Sequence, residues 1–216
     1  MKTRLSLFLK APVMGEVKTR IAETVGPAEA FEIYHSLVNI TLNNINNIKE
    51  IETELCVLGD LNNPGVRAWS EDFGFPTRAQ LGDDLGERMA CALSQSIEAG
   101  YRALLVGADC PELNADYVRA GVAALDEADI VFGPVEDGGY CLIGMKRSCK
   151  EVFTNIPWGS ASVLRDSINA AQNAGRTVAL LDTIWDVDYI RDWKRVLANE
   201  RFTTELVSPR KAQPLN

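Results

Sequence analysis

The amino-acid sequence predicts a three-layer α/β fold, a mainly parallel sheet flanked by helices on both faces. Three features predict it: short apolar runs, amphipathic stretches between them with three- and four-residue spacing, and polar, glycine-rich turns where the runs end. Short apolar runs fit strands covered on both faces. Strands that alternate with helices need right-handed crossovers, which make neighbouring strands parallel.

The elements follow in order. Leu5–Leu9 reads as the first strand, closed at once by the loop residues Ala11–Gly15. Gly26 and Pro27 open a long helix, with proline at the first helical position, where its missing N–H costs nothing. Phe31, Tyr34, Val38, Leu42 and Ile45 continue its apolar face. Glu54–Leu58 is the second strand, Val66–Phe73 a helix and Thr77–Gln80 a short third strand. Leu85, Met89, Leu93 and Ile97 mark a helix that Gly100 ends. A strand over Ala103–Val106 and a helix over Asp116–Leu125 come next, then strands Asp129–Phe132 and Tyr140–Ile143. A helix over about Ser160–Ala174, a strand Val178–Leu181 and a helix over about Tyr189–Ala198 complete the order. The reading is one domain over residues 1–216, with about 200–216, carrying Ser208-Pro209 and Gln213-Pro214, as a loose tail.

Composition narrows the function. With 46% apolar and 24% charged residues, wholesale disorder is excluded. The five cysteines are scattered and never spaced C-x-x-C, which argues against a disulfide framework or structural zinc and suits the reducing cytoplasm. The apolar start is broken by Ser6 and closed by Lys10, too short for a signal peptide, and nothing later approaches a membrane span. A formal charge of −8 disfavours a nucleic-acid-binding face. Residues 1–20, however, hold Lys2, Arg4, Lys10, Lys18 and Arg20 against the single acid Glu16. An acidic chain with a basic N-terminal loop suits a small polyanion.

In parallel α/β sheets ligands bind beyond the carboxyl ends of the strands, so the residues that follow each strand carry the functional information. Lys10–Arg20 follows the first strand. It is not a Walker A loop, since Gly15 lies three residues ahead of Lys18. Gly15 lets backbone approach a ligand, and Lys10, Lys18 and Arg20 converge on a helix start, a phosphate-binding arrangement; the alternative is a solvated loop. Gln80–Arg88, with two glycines and paired acids, either reads a base or ribose or simply caps a helix through Asp84. Gly107-Ala108-Asp109-Cys110-Pro111 puts a carboxylate at a strand end, suited to Mg2+ or Mn2+, or else a turn-forming cap. Asp137-Gly138-Gly139-Tyr140 is a hairpin turn or, facing the same crevice, an acceptor-binding segment with Asp137 as base. Asp186 and Asp188 either complete a metal site with Asp109 or begin an acidic helix. Trp158 with Gly159 and Ser160 suits an acceptor pocket, or Ser160 a cap. His35, the sole histidine, lies within the long helix and reads as structural, which argues against a histidine triad; Cys110 reads as packing.

Five ordered motifs then carry a resemblance: Lys10-x-Pro12-x-x-Gly15-x-x-Lys18-Thr19-Arg20, Asp84-Leu85-Gly86-Glu87-Arg88-Met89, Gly107-x-Asp109-Cys110-Pro111, Asp137-Gly138-Gly139-Tyr140, and Trp158. Over about residues 4–192 the chain resembles a small bacterial glycosyltransferase family linked with arsenosugar biosynthesis, of the Rossmann-like nucleotide-diphospho-sugar transferase (GT-A) fold. More distantly it is similar to phospholactate and molybdenum-cofactor guanylyltransferases. The resemblance implies that Lys10, Pro12, Gly15, Lys18, Thr19 and Arg20 hold the nucleotide phosphates. It places Gln80, Asp84, Gly86 and Arg88 near the base, Gly107 beside the nucleotide, and Asp109 at a Mg2+ or Mn2+ ion. Gly138, Gly139, Tyr140 and Trp158 then fall to the acceptor. The Asp-x-Asp motif of most such sugar transferases is absent, since Gly107 and Pro111 flank Asp109 at two residues; a single Asp followed by Pro is closer to the guanylyltransferase pattern.

Three functions are therefore expected of the same residues. The first is sugar transfer from a nucleotide-sugar donor to a small-molecule acceptor, with Lys18, Arg20, Asp109 and Asp137 as catalytic groups. The second is nucleotidyl transfer with pyrophosphate release. The third is nucleotide binding without catalysis.

Overall fold

The computed structural model describes residues 1–202; the tail expected over about 200–216 lies, from 203 on, outside the described residues. The strands are β1 (Thr3–Lys10), β2 (Ile51–Leu58), β3 (Thr77–Ala79), β4 (Arg102–Gly107), β5 (Ile130–Pro134), β6 (Tyr140–Met145) and β7 (Val178–Leu180). The helices are α1 (Thr19–Val25), α2 (Pro27–Ile45), α3 (Pro64–Phe73), α4 (Leu85–Glu98), α5 (Ala115–Glu127), α6 (Val163–Asn173) and α7 (Ile190–Leu197). The strands form one sheet in the order β3-β2-β1-β4-β6-β5-β7. Pairings are parallel except at β6, which runs antiparallel to both β4 and β5.

Period-two burial makes the layers. In β1, Leu5, Leu7 and Leu9 pack with Tyr34, Val38 and Leu42 of α2, Trp69 of α3 and Val118 of α5. Phe8 points to the other face, with Met89 and Leu93 of α4 and Ala171 of α6. Such an alternation would be lost by a one-residue slip, which fixes the register Phe8 to Cys56 and Phe8 to Gly107. A third cluster joins Ile21 of α1 and Ile33, Leu37 and Ile40 of α2 to Trp185, Val187 and Trp193. It ties the segment that precedes α7 to the helix that follows the first loop.

The structure departs from the sequence reading in local ways. The helix expected from about Ser160 begins at Val163, with Ser162 as its cap residue, because Ser160–Ser162 turn back on themselves through a hydroxyl contact of 3.0 Å. A short 3-10 helix, Lys150–Phe153, was not anticipated. The antiparallel β6 follows from the tight Asp137–Gly139 turn, which returns the chain beside β5 and leaves no room for a crossover.

Candidate functional site

Chain order reverses between β1 and β4: β2 and β3 add to one side of β1, and the chain then returns to place β4 on the other. Ligand crevices in such sheets open at this switch point. Here a cleft of about 570 Å³ lies beyond Lys10 and Gly107, and Lys18, Arg20, Gln80, Arg88, Asp109, Tyr140 and Asp188 help to line it. Residues from segments separated by most of the chain thus share one space.

The first loop is held at both ends. The buried Tyr34 hydroxyl accepts from the Lys10 amide and donates to the Lys10 carbonyl, each at 2.8 Å. Burial pushes its phenol pKa well up, so it stays neutral. The Ala11 amide donates to the Leu58 carbonyl at 2.8 Å. Gly15 has φ +86, which its lack of a side chain permits. Lys18 also takes a left-handed conformation, φ 46, at a cost of about 1–2 kcal/mol. Its long-range contacts hold it there: the Nζ lies 2.5 Å from Asp109 Oδ1 and donates to the Val187 carbonyl at 2.7 Å. Arg20 pairs with Asp188. Lys18 and Arg20 are therefore already held by acids, while Lys10 stands exposed at the rim.

The Gln80–Arg88 segment is braced rather than open. Asp84 accepts from the Glu87 amide at 2.8 Å and Glu87 accepts from the Asp83 amide at 2.9 Å, which is helix capping. The Arg88 guanidinium donates to the Gly82 and Asp83 carbonyls at 3.0 and 2.8 Å, and Gln80 Nε2 donates to the Leu9 and Cys56 carbonyls at 3.2 and 2.9 Å. Gln80 and Arg88 nevertheless line the cleft, so the cap and the wall are one structure. Gly86 is buried against Trp158: a Cβ there would stand 2.8 Å from Trp158 Cζ2. Trp158 thus packs on α4, edge-on to Tyr140 at 6.5 Å, and is not among the residues that line the cleft.

Beside the cleft, Asp137, Asp186 and Asp188 each bring a carboxylate oxygen within 4.8 Å of the others, and of the three Asp188 is the one that lines it. The Val187 amide donates to the Asp109 carbonyl at 3.0 Å and aligns this strip beside the end of β4. Burial first, then the like charges of Asp137, Asp188 and Asp109, push the Asp186 carboxyl up to about 6. Asp137 Oδ1 also accepts from the Gly139 amide at 2.8 Å, so the turn seen in the sequence and the acidic cluster coexist. Gly138 has φ +91, and its carbonyl accepts from the Leu164 amide at 3.0 Å, which seats the turn on the α6 end.

The cluster differs in membership from the expected metal set. Asp186 and Asp188 are joined by Asp137, expected at the acceptor, whereas Asp109, expected at the metal, is the ion-pair partner of Lys18. Three close carboxylates, of which Asp188 alone has a cationic partner, Arg20, are a hard-oxygen donor set that fits Mg2+ or Mn2+. His35 lies between Phe31 and Trp69, at 4.7 and 5.0 Å, outside the cleft lining. Cys110 is buried, with a thiol pKa raised by Cys141 and by desolvation, and so is unreactive. Tyr34 is the site residue the sequence reading missed; its place on the apolar stripe of α2 marks it as core and carries no sign of its polar contact. Among the described residues no helix is long and apolar enough to cross a membrane.

The model of a bacterial family described as "uncharacterized protein conserved in bacteria (DUF2064)" matches residues 41–160. No curated protein matches the chain in sequence. A solved structure from Desulfovibrio desulfuricans G20, provisionally described as a nucleotide-diphospho-sugar transferase, is 30% identical with a TM-score of 0.83, over 96% of this chain and 95% of that one. A cytidylyltransferase from Leptospira borgpetersenii is 9% identical with a TM-score of 0.62, over 100% and 98% of the two chains. Rv0371c of Mycobacterium tuberculosis, solved with manganese, is 15% identical with a TM-score of 0.58, over 92% and 100%. The last two share the fold alone. The Desulfovibrio relative thus shows kinship over the whole domain, and the other two show the fold.

Proposed function

The chain belongs to the bacterial DUF2064 family, and from that premise and its cleft we propose that it is a metal-dependent transferase that moves a sugar from a nucleotide-diphospho-sugar to a small acceptor. One observation carries the reading: at the sheet's switch point Lys18, after β1, and Arg20, in the first turn of α1, line a cleft with Asp109 and Asp188, the acids they pair with, and Asp188 is one of three clustered carboxylates.

In this reading Lys10, Lys18 and Arg20 take the donor's diphosphate, and Lys18 and Arg20 exchange Asp109 and Asp188 for phosphate oxygens as it enters. Asp137, Asp186 and Asp188 hold Mg2+ or Mn2+, with Asp109 beside them. Such an ion, when bound, would supply positive charge to the departing diphosphate. Lys18 and Arg20 add hydrogen bonds to the same oxygens, and these strengthen as charge builds on them. The acceptor oxygen bonds to the sugar's anomeric carbon, the bond to the β-phosphate breaks, and Asp109, freed from Lys18, receives the acceptor's proton. Manganese in the mycobacterial neighbour and the sugar-nucleotide description of the 30%-identical relative support this assignment. Five free thiols support a cytoplasmic setting.

Nucleotidyl transfer is the second reading, favoured by the single Asp109 followed by Cys110 and Pro111 in place of Asp-x-Asp. There the same cations would stabilise the attacked α-phosphate while pyrophosphate departs. Incubation with nucleoside triphosphates and with sugar nucleotides separates the two. Free nucleoside diphosphate with sugar transfer is the expected result; pyrophosphate release to a phosphorylated acceptor would establish the second reading instead.

A further inference from the structure

We propose that Asn63, at the start of α3 and outside the residues that line the cleft, is a positioning residue that holds the phosphate loop in its binding shape. The inference rests on the proposed nucleotide site only in naming what the loop receives.

The contacts are specific. Asn63 Nδ2 donates to the Pro12 carbonyl at 3.1 Å, while its Oδ1 accepts from the Gly65 amide at 2.9 Å. Both ends of the carboxamide are used, which fixes its orientation and makes one side chain both the cap of α3 and the brace of the loop. Gly65 completes the seat. A Cβ there would come 2.6 Å from Pro12 Cγ and 3.2 Å from His35 Cε1, so the Pro12 ring sits where any other residue would place its side chain. Pro12 is buried, whereas Val13–Glu16 beyond it are exposed. Between the Tyr34 clamp on Lys10 and the ion-paired Lys18, this contact acts with the Ala11 amide bond to the Leu58 carbonyl and the Glu16-to-Val13 turn bond of 3.0 Å to set the path of the loop, and it is the one that a side chain outside the loop supplies at Pro12. The chain reads Asn63-Pro64-Gly65, a plain helix start, and nothing in it announces a role at another loop.

The two roles of Asn63 can be separated. Asp is as good a helix cap as Asn but has no donor for the Pro12 carbonyl. Asn63→Asp is therefore expected to keep the α3 cap, to lower the unfolding midpoint by no more than about 4 °C through the lost hydrogen bond, and to bind nucleotide about three- to tenfold more weakly because the loosened loop must be ordered on binding. Gly65→Ala should favour the helix by propensity yet weaken binding, because its Cβ displaces Pro12. Pro12→Ala removes the Cγ atom, so Gly65→Ala placed in that background should bind no more weakly than Pro12→Ala alone.

The experiment measures binding of a panel of nucleoside di- and triphosphates and sugar nucleotides, with Mn2+, alongside thermal midpoints. It also measures amide hydrogen exchange of residues 12–18 without ligand. The expected result is faster loop exchange and weaker binding in Asn63→Asp, with β1 and α3 unchanged. Wild-type exchange and affinity in both Asn63→Asp and Gly65→Ala would overturn the proposal. A wild-type protein that binds no nucleotide would instead overturn the functional reading, and the exchange data would still decide the brace.

Discussion

Replacing Asp186 by Asn should make the metal-free protein more stable and abolish its response to metal. The two effects have one cause. Asp186 is pushed up to about 6 from an ordinary 3.8 by burial and by Asp137, Asp188 and Asp109, so its charged form is less favourable in the folded protein than in the unfolded chain. A raised folded pKa gives stability that is present below the unfolded value and lost as pH rises through the folded one. The gap is worth at most about 3 kcal/mol at pH 7.5. Because the carboxyl is partly exposed, solvent screening reduces this to about 1–2 kcal/mol. For a chain of this size that is a rise in Tm of about 2–8 °C for Asp186→Asn in EDTA at pH 7.5. The difference should shrink towards pH 4.5, where the wild-type carboxyl is itself protonated. Added Mn2+ should raise the wild-type Tm, by about 2.7 kcal/mol of stabilisation at a hundredfold excess over its Kd, and leave the variant unmoved. A variant that is less stable than wild type in EDTA, or that gains as much from Mn2+, would refute the reasoning.

Three other outcomes follow from the same site. Gly107 has open space where a Cβ would stand, and it lines the cleft; Gly107→Val should keep the unfolding free energy within about 0.5 kcal/mol of wild type and lose nucleotide binding, read by denaturation and titration. Lys18→Met keeps the buried stem but leaves Asp109 and the Val187 carbonyl without their partner; urea unfolding should show a loss of about 1–3 kcal/mol, and calorimetry a loss of nucleotide affinity. A Cβ at Gly138 would fall 2.2 Å from the Ala161 carbonyl oxygen at φ +91, so Gly138→Ala should cost about 2 kcal/mol or more and, by displacing Asp137, weaken the Mn2+-dependent rise in Tm.

Much of the fold was legible because its signals are local. The apolar run Leu5–Leu9, the proline start at Pro27 and the stop at Gly100 need no distant residue to be read, and each falls in or beside an element of the structure. The same holds for the turn at Asp137-Gly138-Gly139 and the cap at Asp84, where the plain local reading proved correct in geometry and both segments still reached the site. The hairpin turn foreshadows β6 running against β5, but its insertion beside β4 has no local signal, because strand order depends on where the chain returns and not on its apolar pattern.

The sequence by itself determined the alternation of strands and helices, the basic loop after β1 and the supply of carboxylates at strand ends. Tertiary structure decided which of them meet. Strand order brings Asp137, Asp186 and Asp188 together and leaves Asp109 to Lys18, although Asp109 and Asp137 look alike in sequence. It also turns a core tyrosine, Tyr34, and a helix cap, Asn63, into supports of one loop. Charge and hydrogen bonding act over a few ångströms in space, and separation along the chain sets no such distance until the sheet is built.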